Sequence, residues 1–446
     1  MGYSRLTPLV EAETENYAIR CIESQQGAMS LTGTSMEQAL RNIHDIQIDA
    51  QGDAASLYIL VEDISPGQVE ALSSALNIEP SFFREHLSES SFYQIEKRHI
   101  GNYMSSLPSR SSSNDVAHFH YQRVIDLGND TSMQKLPYNL RLNGNLKRRV
   151  RRLPPLSGRY VGLARACFSI LRKELKQGRW ICLMLMDSNS VDVVSDASDI
   201  EEATFKVTQV PYRMPLNEQP ITVLDEIATL LVSTPAKPHH GLVELAHHPM
   251  QIIVAEWVLY SYLIGRYTKH YEFSFQKVEK RLSLELDEVL VELYQWRRRS
   301  QQSLTKLQAM RWFLDNNEHR SRATELLSQD LAHISDQVDH HRGALEAMVP
   351  VLTSMIQLVE TRRAMEEMIY VKHLTYIALV FLPLSYVATL FSMSERFAVD
   401  SGGFVIYLLS AVSLLVVVLL ISRFSFVLDL GMKRVESQVS RWFSGA

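Results

Sequence analysis

Hydroxyl side chains recur along one apolar segment near the C-terminal end of the sequence, VKHLTYIALVFLPLSYVATLFSMSE, residues 371–395. Ser385, Thr389 and Ser392 follow one another at spacings of four and three, which places them on one side of a helix. Hydroxyl oxygens accept hydrogen bonds from the water shell of a cation, so such a row can line a path for ions. The alternative is structural, because Ser and Thr also donate to the carbonyl four residues earlier or let helices pack closely.

The same helical face continues on both sides of the hydroxyls. At spacings of three or four it comprises Glu360, Ala364, Glu367, Val371, Leu374, Ala378, Leu382, Ser385, Thr389 and Ser392. The face is first acidic, then apolar, then hydroxylic, an order that suits an apolar gate followed by contacts to a hydrated ion. Pro383 leaves the carbonyl of Leu379 without its usual helical donor, which a hydroxyl or a water would replace. One helix encloses no channel, so this interpretation requires several copies of the chain.

Two segments are long and apolar enough to cross a bilayer. Residues 374–391 and 404–421 are each about 18 residues long, at the short end of the range of about 17–25 that a span needs. A third apolar stretch, which begins at Met250, is shorter and contains Glu256, so we expect a buried helix there.

Basic residues flank the two segments on the sides away from the loop that joins them. They are Arg362, Arg363, Lys372 and His373 before the first segment, and Arg423, Lys433, Arg434 and Arg441 after the second. By the positive-inside rule both termini face the cytosol, and the protein is integral to the membrane with two spans. We expect the plasma membrane, since no mitochondrial targeting segment is visible.

The remainder of the chain predicts an α+β protein. Segments such as ASLYILVE, HFHYQRVIDL, RYVGLARACFSIL and RWICLMLMD have the composition of strands. Pro66 after Ser65, and later Pro80, mark helix starts. The predicted domains are a cytosolic α/β domain at 1–240, a long-helix stalk at 241–373, a two-helix membrane hairpin at 374–421 and a basic cytosolic tail at 422–446.

A heptad pattern predicts a long stalk helix. Its seam comprises Leu327, Leu331, Ile334, Val338, His341, Leu345, Met348, Leu352, Met355 and Val359. Alternating spacings of four and three are typical of a helix that packs against other helices, although His341 is polar at a seam position. No helix stop signal lies between Val351 and the first apolar segment, so we expect the helix to continue into the membrane.

Composition and motifs exclude several other classes of protein. A net charge of -5 predicts no nucleic-acid partner, and three widely spaced cysteines fit a reducing compartment better than a disulfide framework. The motifs of nucleotide-binding, metalloprotease and serine-hydrolase sites are missing from the sequence, so we expect no enzyme. The basic run KRRVRRLPP, which begins at Lys147, is interpreted as a solvated loop, or as a contact with acidic lipid or an acidic neighbour.

Two groups of histidines have metal-ligand chemistry. His118 and His120 would share one face of a strand, and the second group is His239, His240, His247 and His248. His118 and His120 come without a third ligand in view, and the second group lies in the stretch that we expect to link into a helix starting near Pro249. Ordinary packed or surface histidines are therefore the favoured interpretation of both.

The first apolar segment resembles the first transmembrane helix of CorA-type divalent-cation transporters. Their pattern, KxLTxxAxxFxPLxxxAxxxGMN, is matched here without a gap at Lys372, Leu374, Thr375, Ala378, Phe381, Pro383, Leu384 and Ala388. LYILVEDISPGQVEALSSALNIEPSFFREHL is similar to the strand and helix near the N-terminus of that family. ETRRAMEE, before the segment, is similar to its fungal CorA-like branch.

The resemblance implies a homopentamer in the lipid bilayer, with no cofactor except a transported divalent cation. Mg²⁺ is favoured, with Zn²⁺, Co²⁺ and Ni²⁺ as alternatives. The first helix of each subunit would line the pore, through Val371, Leu374, Ala378, Leu382, Ser385 and Thr389. The family also senses magnesium through stalk acids. The aligned stalk position here is the uncharged Gln357, so Glu360, one turn along, and Glu367 would take this role instead.

The sequence departs from the family at the outer pore mouth. Gly-Met-Asn is replaced by Ser392, Met393 and Ser394, so a shorter hydroxyl stands where the Asn carbonyl faces the hydrated ion. Glu395 and Asp400 in the outer loop would concentrate cations. Because of this departure, a ZntB-like zinc transporter and a non-conducting CorA-like scaffold or signalling protein remain alternatives.

Overall fold

A computed structural model describes most of the chain, and the residues it covers fall into two compact units. It describes residues 18–25, 28–48, 54–87, 115–128, 139–142, 144–175, 178–188, 193–195, 204–205, 208–209, 222–233, 241–275, 283–316, 321–392, 405–406, 408–418 and 420. The first unit comprises residues up to 281 together with 287–352, and the second comprises 282–286 together with 353–446.

The first unit contains a mixed β-sheet. Its strands are β1 Ala18–Gln25, β2 Ala28–Gly33, β3 Ala54–Glu62, β4 Val116–Gly128, β5 Asn139–Leu142, β6 Arg149–Arg152, β7 Tyr160–Glu174, β8 Trp180–Met186, β9 Val193–Ser195, β10 Thr204–Phe205 and β11 Thr208–Gln209. The order is β10-β9-β5-β6-β7-β8-β3-β1-β2, and β4 pairs with both β7 and β11. The pair β3 and β8 is parallel, whereas the other pairs are antiparallel.

Three helices form the main hydrophobic core with the central strands. They are α1 Met36–Ile48, α2 Pro66–Leu76 and α3 Pro80–Leu87. Leu72, Phe83 and Ile59 are completely buried in this core. Ser65 caps α2 in a capping box with Gln68, as the Ser-Pro start signal predicted. Two shorter helices follow later in the chain, α4 Val223–Ser233 and α5 Leu242–Leu245.

The strand and helix predictions for the first half of the chain are confirmed. The four segments rich in apolar residues form β3, β4, β7 and β8, and the helices begin at Pro66 and Pro80. Every residue of β8 is buried, which explains its continuous apolar run, because a strand covered on both faces has no need to alternate. The limits of the four predicted domains stay predictions.

Long helices make up the rest of the first unit. They are α6 His247–Phe275, α7 Ser283–Asp315 and the start of α8 Arg322–Ser392. The hydroxyl of Ser303 on α7 donates to Tyr260 of α6 over 2.9 Å, and that of Ser261 on α6 donates to Gln337 of α8 over 3.0 Å. The stretch from Met250 is therefore a buried helix of the folded domain, as predicted, with Met250 and Trp257 fully buried.

The heptad seam of α8 is buried as the sequence predicted. Its buried members are Leu327, Leu331, Ile334, Val338, Leu345, Met348 and Leu352. His341 occupies its seam position against Gly265 of α6, where a Cβ atom would lie 2.9 Å from the His341 Nε2. The imidazole therefore fits because residue 265 has no side chain.

Of the interpretations of KRRVRRLPP, the solvated loop is wrong, whereas the contact with an acidic neighbour agrees with the position of Arg148. Arg149–Arg152 is strand β6, and the Arg148 side chain before it is buried. Its Nε and Nη2 donate to the Asp187 carboxylate over 3.0 and 2.9 Å, and Nη2 also donates to the His86 carbonyl over 2.7 Å. A run of arginines usually predicts solvent exposure. An arginine can nevertheless be buried when a buried acid pairs with it, as Asp187 does here.

We expect Gly265→Leu to lower the free energy of unfolding by about 1–3 kcal/mol, because the added side chain overlaps His341. The matched control is Gly343→Leu on α8, where a Cβ meets no atom within 4 Å. That change should raise stability slightly through its better helix propensity. Thermal unfolding of the purified full-length protein, followed by tryptophan fluorescence, measures both; equal transition temperatures for the two variants would contradict the packing described.

Candidate functional site

Helix α8 carries the predicted pore-lining residues, which are the candidate site. It runs without interruption from the heptad seam into the first apolar segment. It extends over 71 residues, and both Pro350 and Pro383 lie within it. Among the described residues it is the one helix long and apolar enough to cross a membrane. The described part of the second segment is a shorter apolar helix, α9 Leu408–Val418, so a second span stays a prediction.

The predicted pore-lining positions lie on one side of α8 and are exposed, within a helix whose residues 360–378 are exposed all around. The exposed members are Val371, Leu374, Ala378, Leu382, Ser385, Thr389 and Ser392. Leu382 at 72% and Leu374 at 68% are among the most exposed large apolar side chains of the described chain. Such exposure of leucine in a single chain indicates a surface that meets lipid or another protein surface.

Between residues 379 and 387 the opposite face of α8 is packed. Its buried or half-buried side chains are Leu379, Val380, Pro383, Leu384 and Val387. With about 100° between successive residues, this set lies roughly opposite the exposed positions. The less exposed residues of α9 repeat the same spacing, with Ser410, Ala411, Leu414, Leu415 and Val418. Stripes of this kind on two apolar segments are typical of a helix pair, and the hydroxyl positions lie on the side of α8 away from its own stripe.

The hydroxyls of the exposed face also have local partners. Thr389 Oγ1 donates to the carbonyl of Ser385 and lies 3.3 Å from the carbonyl of Tyr386. Thr375 Oγ1 likewise donates to the carbonyl of Val371 over 2.8 Å. These two hydroxyls therefore already donate to backbone carbonyls of their own helix, which is the structural role described above. A hydroxyl that donates one hydrogen bond keeps acceptor lone pairs, so Thr389 can still accept from water at the exposed face.

The two acidic residues proposed to sense metal lie on the exposed surface of α8. Glu367 Oε1 is 3.9 Å from Arg363 Nε, a loose pair one helical turn apart, and Glu360 is also exposed. Within the described part of the chain no group of three His, Cys, Asp or Glu side chains is arranged to hold a metal ion. The regulatory role of Glu360 and Glu367 stays a prediction.

Several predicted residues fall outside the described part of the chain. They are Met393, Ser394, Glu395 and Asp400 of the pore mouth and outer loop, and His239 and His240 of the second histidine group. His247 and His248 begin α6 with ring centroids 5.4 Å apart, and burial lowers the pKa of His247. Their edge-to-face position at a helix start agrees with the structural interpretation of this pair.

The structure also gathers polar residues that the sequence did not connect. His118 lies opposite Ser169 and His120 opposite Cys167 in the register of β4 and β7. The His118 Nδ1 is 2.7 Å from the Ser169 hydroxyl, which lies 2.8 Å from the Nδ1 of His86 on α3. In the sequence, the sign of this polar cluster was the alternation of His118 and His120 on β4. The strand register that brings a thiol beside them has no local sequence signature.

A thiol at position 382 should react much faster with a charged, water-soluble methanethiosulfonate than a thiol at position 387. Leu382→Cys lies on the exposed face and Val387→Cys on the packed face of the same helix, so each variant controls for the other. We expect a difference of at least about tenfold, because thiols react as hydrated thiolates. Labelling is measured by mass spectrometry in proteoliposomes, with the parent protein as background. Equal rates would contradict the assignment of the two faces.

Comparison with known proteins yields only distant similarities. No protein-family model matches the chain, and no curated protein sequence matches it. The complete structure of a CorA magnesium transporter from Methanocaldococcus jannaschii is similar, with 13% identity, a TM-score of 0.40, and coverage of 92% of this chain and 98% of that chain. The full-length CmaX protein gives 14% identity, a TM-score of 0.40, and coverage of 93% and 99%. We therefore base the functional proposal on the residues and their geometry.

Proposed function

We propose that the chain is one subunit of a homopentameric CorA-type channel that carries hydrated divalent cations, Mg²⁺ foremost, into the cytosol. The observation that carries this proposal is the exposed face of α8, on which apolar and hydroxyl side chains are turned away from the packed face. A face of this kind can line a pore in the bilayer when several copies of the chain place it around a common axis. The residues that match the CorA pattern lie on the same helix.

The face divides into an apolar and a polar part with different tasks. Leu374 and Leu382 would form apolar constrictions, which close a narrow pore to water and ions by dewetting. Ser385 and Thr389 would accept hydrogen bonds from the water shell of the ion, and Ser392 and Ser394 would do so at the mouth. Magnesium releases its waters reluctantly, so contact with the intact shell suits this ion.

The membrane potential is a sufficient driving force for such a channel. Each elementary charge gains about 2.3 kcal/mol per 100 mV, and a divalent ion therefore gains about twice that amount. No nucleotide is required for inward movement. This agrees with the lack of a nucleotide-binding motif in the sequence.

The test is uptake of Mg²⁺, Zn²⁺, Co²⁺ and Ni²⁺ into proteoliposomes of the purified full-length protein under an inside-negative potential. Leu382→Ala removes an apolar constriction and should raise the rate of uptake severalfold, since a wider and less apolar gate stays hydrated. Leu408→Ala on α9 is the matched control, an exposed leucine of the second apolar segment that should leave uptake unchanged.

The ranking of ions separates the transport alternatives. Preference for Zn²⁺ over Mg²⁺ would favour the ZntB-like alternative. If no ion moves while crosslinking shows an intact oligomer, the channel proposal fails.

The double variant Ser392→Gly, Ser394→Asn distinguishes a channel from a scaffold. It restores the Gly-Met-Asn pattern at the mouth, where the longer Asn side chain reaches the ion's water shell. In a conducting parent, we expect the variant to shift selectivity towards Mg²⁺. Magnesium uptake that appears in the variant from a silent parent would instead identify the parent as a non-conducting scaffold.

A further inference from the structure

A buried polar cluster in the α/β domain is separate from the membrane helix. We call it the thiol cluster and define it as Glu85 and His86 on α3, His120 on β4, and Cys167 and Ser169 on β7. His86, Cys167 and Ser169 are buried, with at most 1% of each exposed. The side chains of His120 and Glu85 are 26% and 33% exposed, so the cluster reaches solvent through these two residues.

Charge within the cluster favours a thiolate at Cys167. Burial by itself raises the pKa of the thiol, but the neighbouring His120 and His86 outweigh burial and lower it to about 5. Burial lowers the pKa of His120, whereas Cys167 and Glu85 raise it to about 9. Glu85 Oε1 lies 3.7 Å from His120 Nε2. A thiolate beside an imidazolium is the arrangement that activates cysteines as nucleophiles.

Charged groups from the surrounding elements also face the thiol. Lys306 of α7 interacts with Cys167, and burial lowers the pKa of this amine to about 8. Asp187, after β8, accepts a hydrogen bond from the backbone N–H of Cys167 over 2.9 Å. Asp187 is itself held by the guanidinium of Arg148. These contacts fix the position of Cys167 and leave its sulfur beside cationic groups.

The other two cysteines of the chain provide a contrast. Cys21 and Cys182 are as buried as Cys167. Burial is the main influence on both thiols, and it raises the pKa of Cys21 to about 12 and that of Cys182 as well. Burial alone therefore makes a cysteine inert here, and the histidines of the thiol cluster are what distinguish Cys167.

A second observation points to a ligand at this site. The Nε2 atom of His86 is buried and makes no hydrogen bond of ordinary geometry to any described residue. Its nearest acid, Asp187, has Oδ1 at 3.8 Å. Buried polar atoms usually have a partner, and His86 is one of the groups that act on the Cys167 thiol. An oxygen added to the sulfur is therefore the candidate partner for this nitrogen.

We propose that Cys167 is a peroxide-sensitive modification site, oxidised by hydrogen peroxide to a sulfenic acid that the His86 imidazole accommodates. The thiolate sulfur attacks one peroxide oxygen, an S–O bond forms and the O–O bond breaks. The sulfur loses two electrons and the peroxide gains them. The departing hydroxide takes a proton from the His120 imidazolium and leaves as water. Peroxide would approach from the side of the partly exposed His120 and Glu85 side chains.

The experiment treats the purified full-length protein with hydrogen peroxide and traps sulfenic acid with a 1,3-dione, followed by peptide mass spectrometry. We expect the adduct on Cys167 and little on Cys21 or Cys182, which serve as internal controls in the same molecule. The rate at Cys167 should be flat between about pH 6 and 8, because the thiol is already ionised there. Equal labelling of the three cysteines, or none on Cys167 in the folded protein, would overturn the proposal.

Two histidine variants test whether His120 activates the Cys167 thiol or merely lies near it. In His120→Asn the rate at Cys167 should rise by roughly tenfold per pH unit below the pKa of an ordinary thiol, because the thiolate fraction then limits it. The matched control is His118→Asn on the same face of β4, since His118 bonds to Ser169 instead of Cys167. It should keep the flat profile. A parent rate that already rises with pH, or identical profiles in the two variants, would refute a role for His120.

Discussion

The uninterrupted helix α8 is the constraint on which the rest of the structure depends. Its first part buries an apolar seam against α6 and α7, and its later part is the apolar segment that suits a bilayer. Within hydrocarbon a backbone must satisfy its own hydrogen bonds, and a continuous helix does so in both environments. The same 3.6-residue period therefore sets both the buried seam and the exposed face that we propose lines a pore.

Charge pairing organises the α/β domain in a comparable way. Arg148 and Asp187 are both buried, and each would be costly to bury alone. Asp187 then fixes the backbone of Cys167 by accepting its N–H, which places the thiol beside His120. A pair that stabilises the fold thereby determines the electrostatic surroundings of a neighbouring thiol. The oxidation proposed for Cys167 would remove a negative charge between His120 and Lys306.

Sequence patterns predicted much of the architecture because the features concerned are periodic and local. The heptad seam of α8, the strands β3, β4, β7 and β8, and the helix starts at Pro66 and Pro80 were all predicted correctly. Each depends on neighbours within one or two turns of helix or one strand. The error at Arg148 has the opposite origin, because its partner Asp187 is 39 residues away. The pore-mouth residues Met393 and Ser394 stay predictions.

By itself the sequence determined the apolar segments, the row of hydroxyls at spacings of three and four, and the resemblance carried by the first segment. These follow from composition and helical period, which need no knowledge of distant contacts. The tertiary structure decided which face of α8 is packed and which is exposed, and it decided that Cys167 lies beside His120. Both depend on which surfaces meet. Strand register and helix pairing join residues far apart in the chain, and no local pattern specifies them.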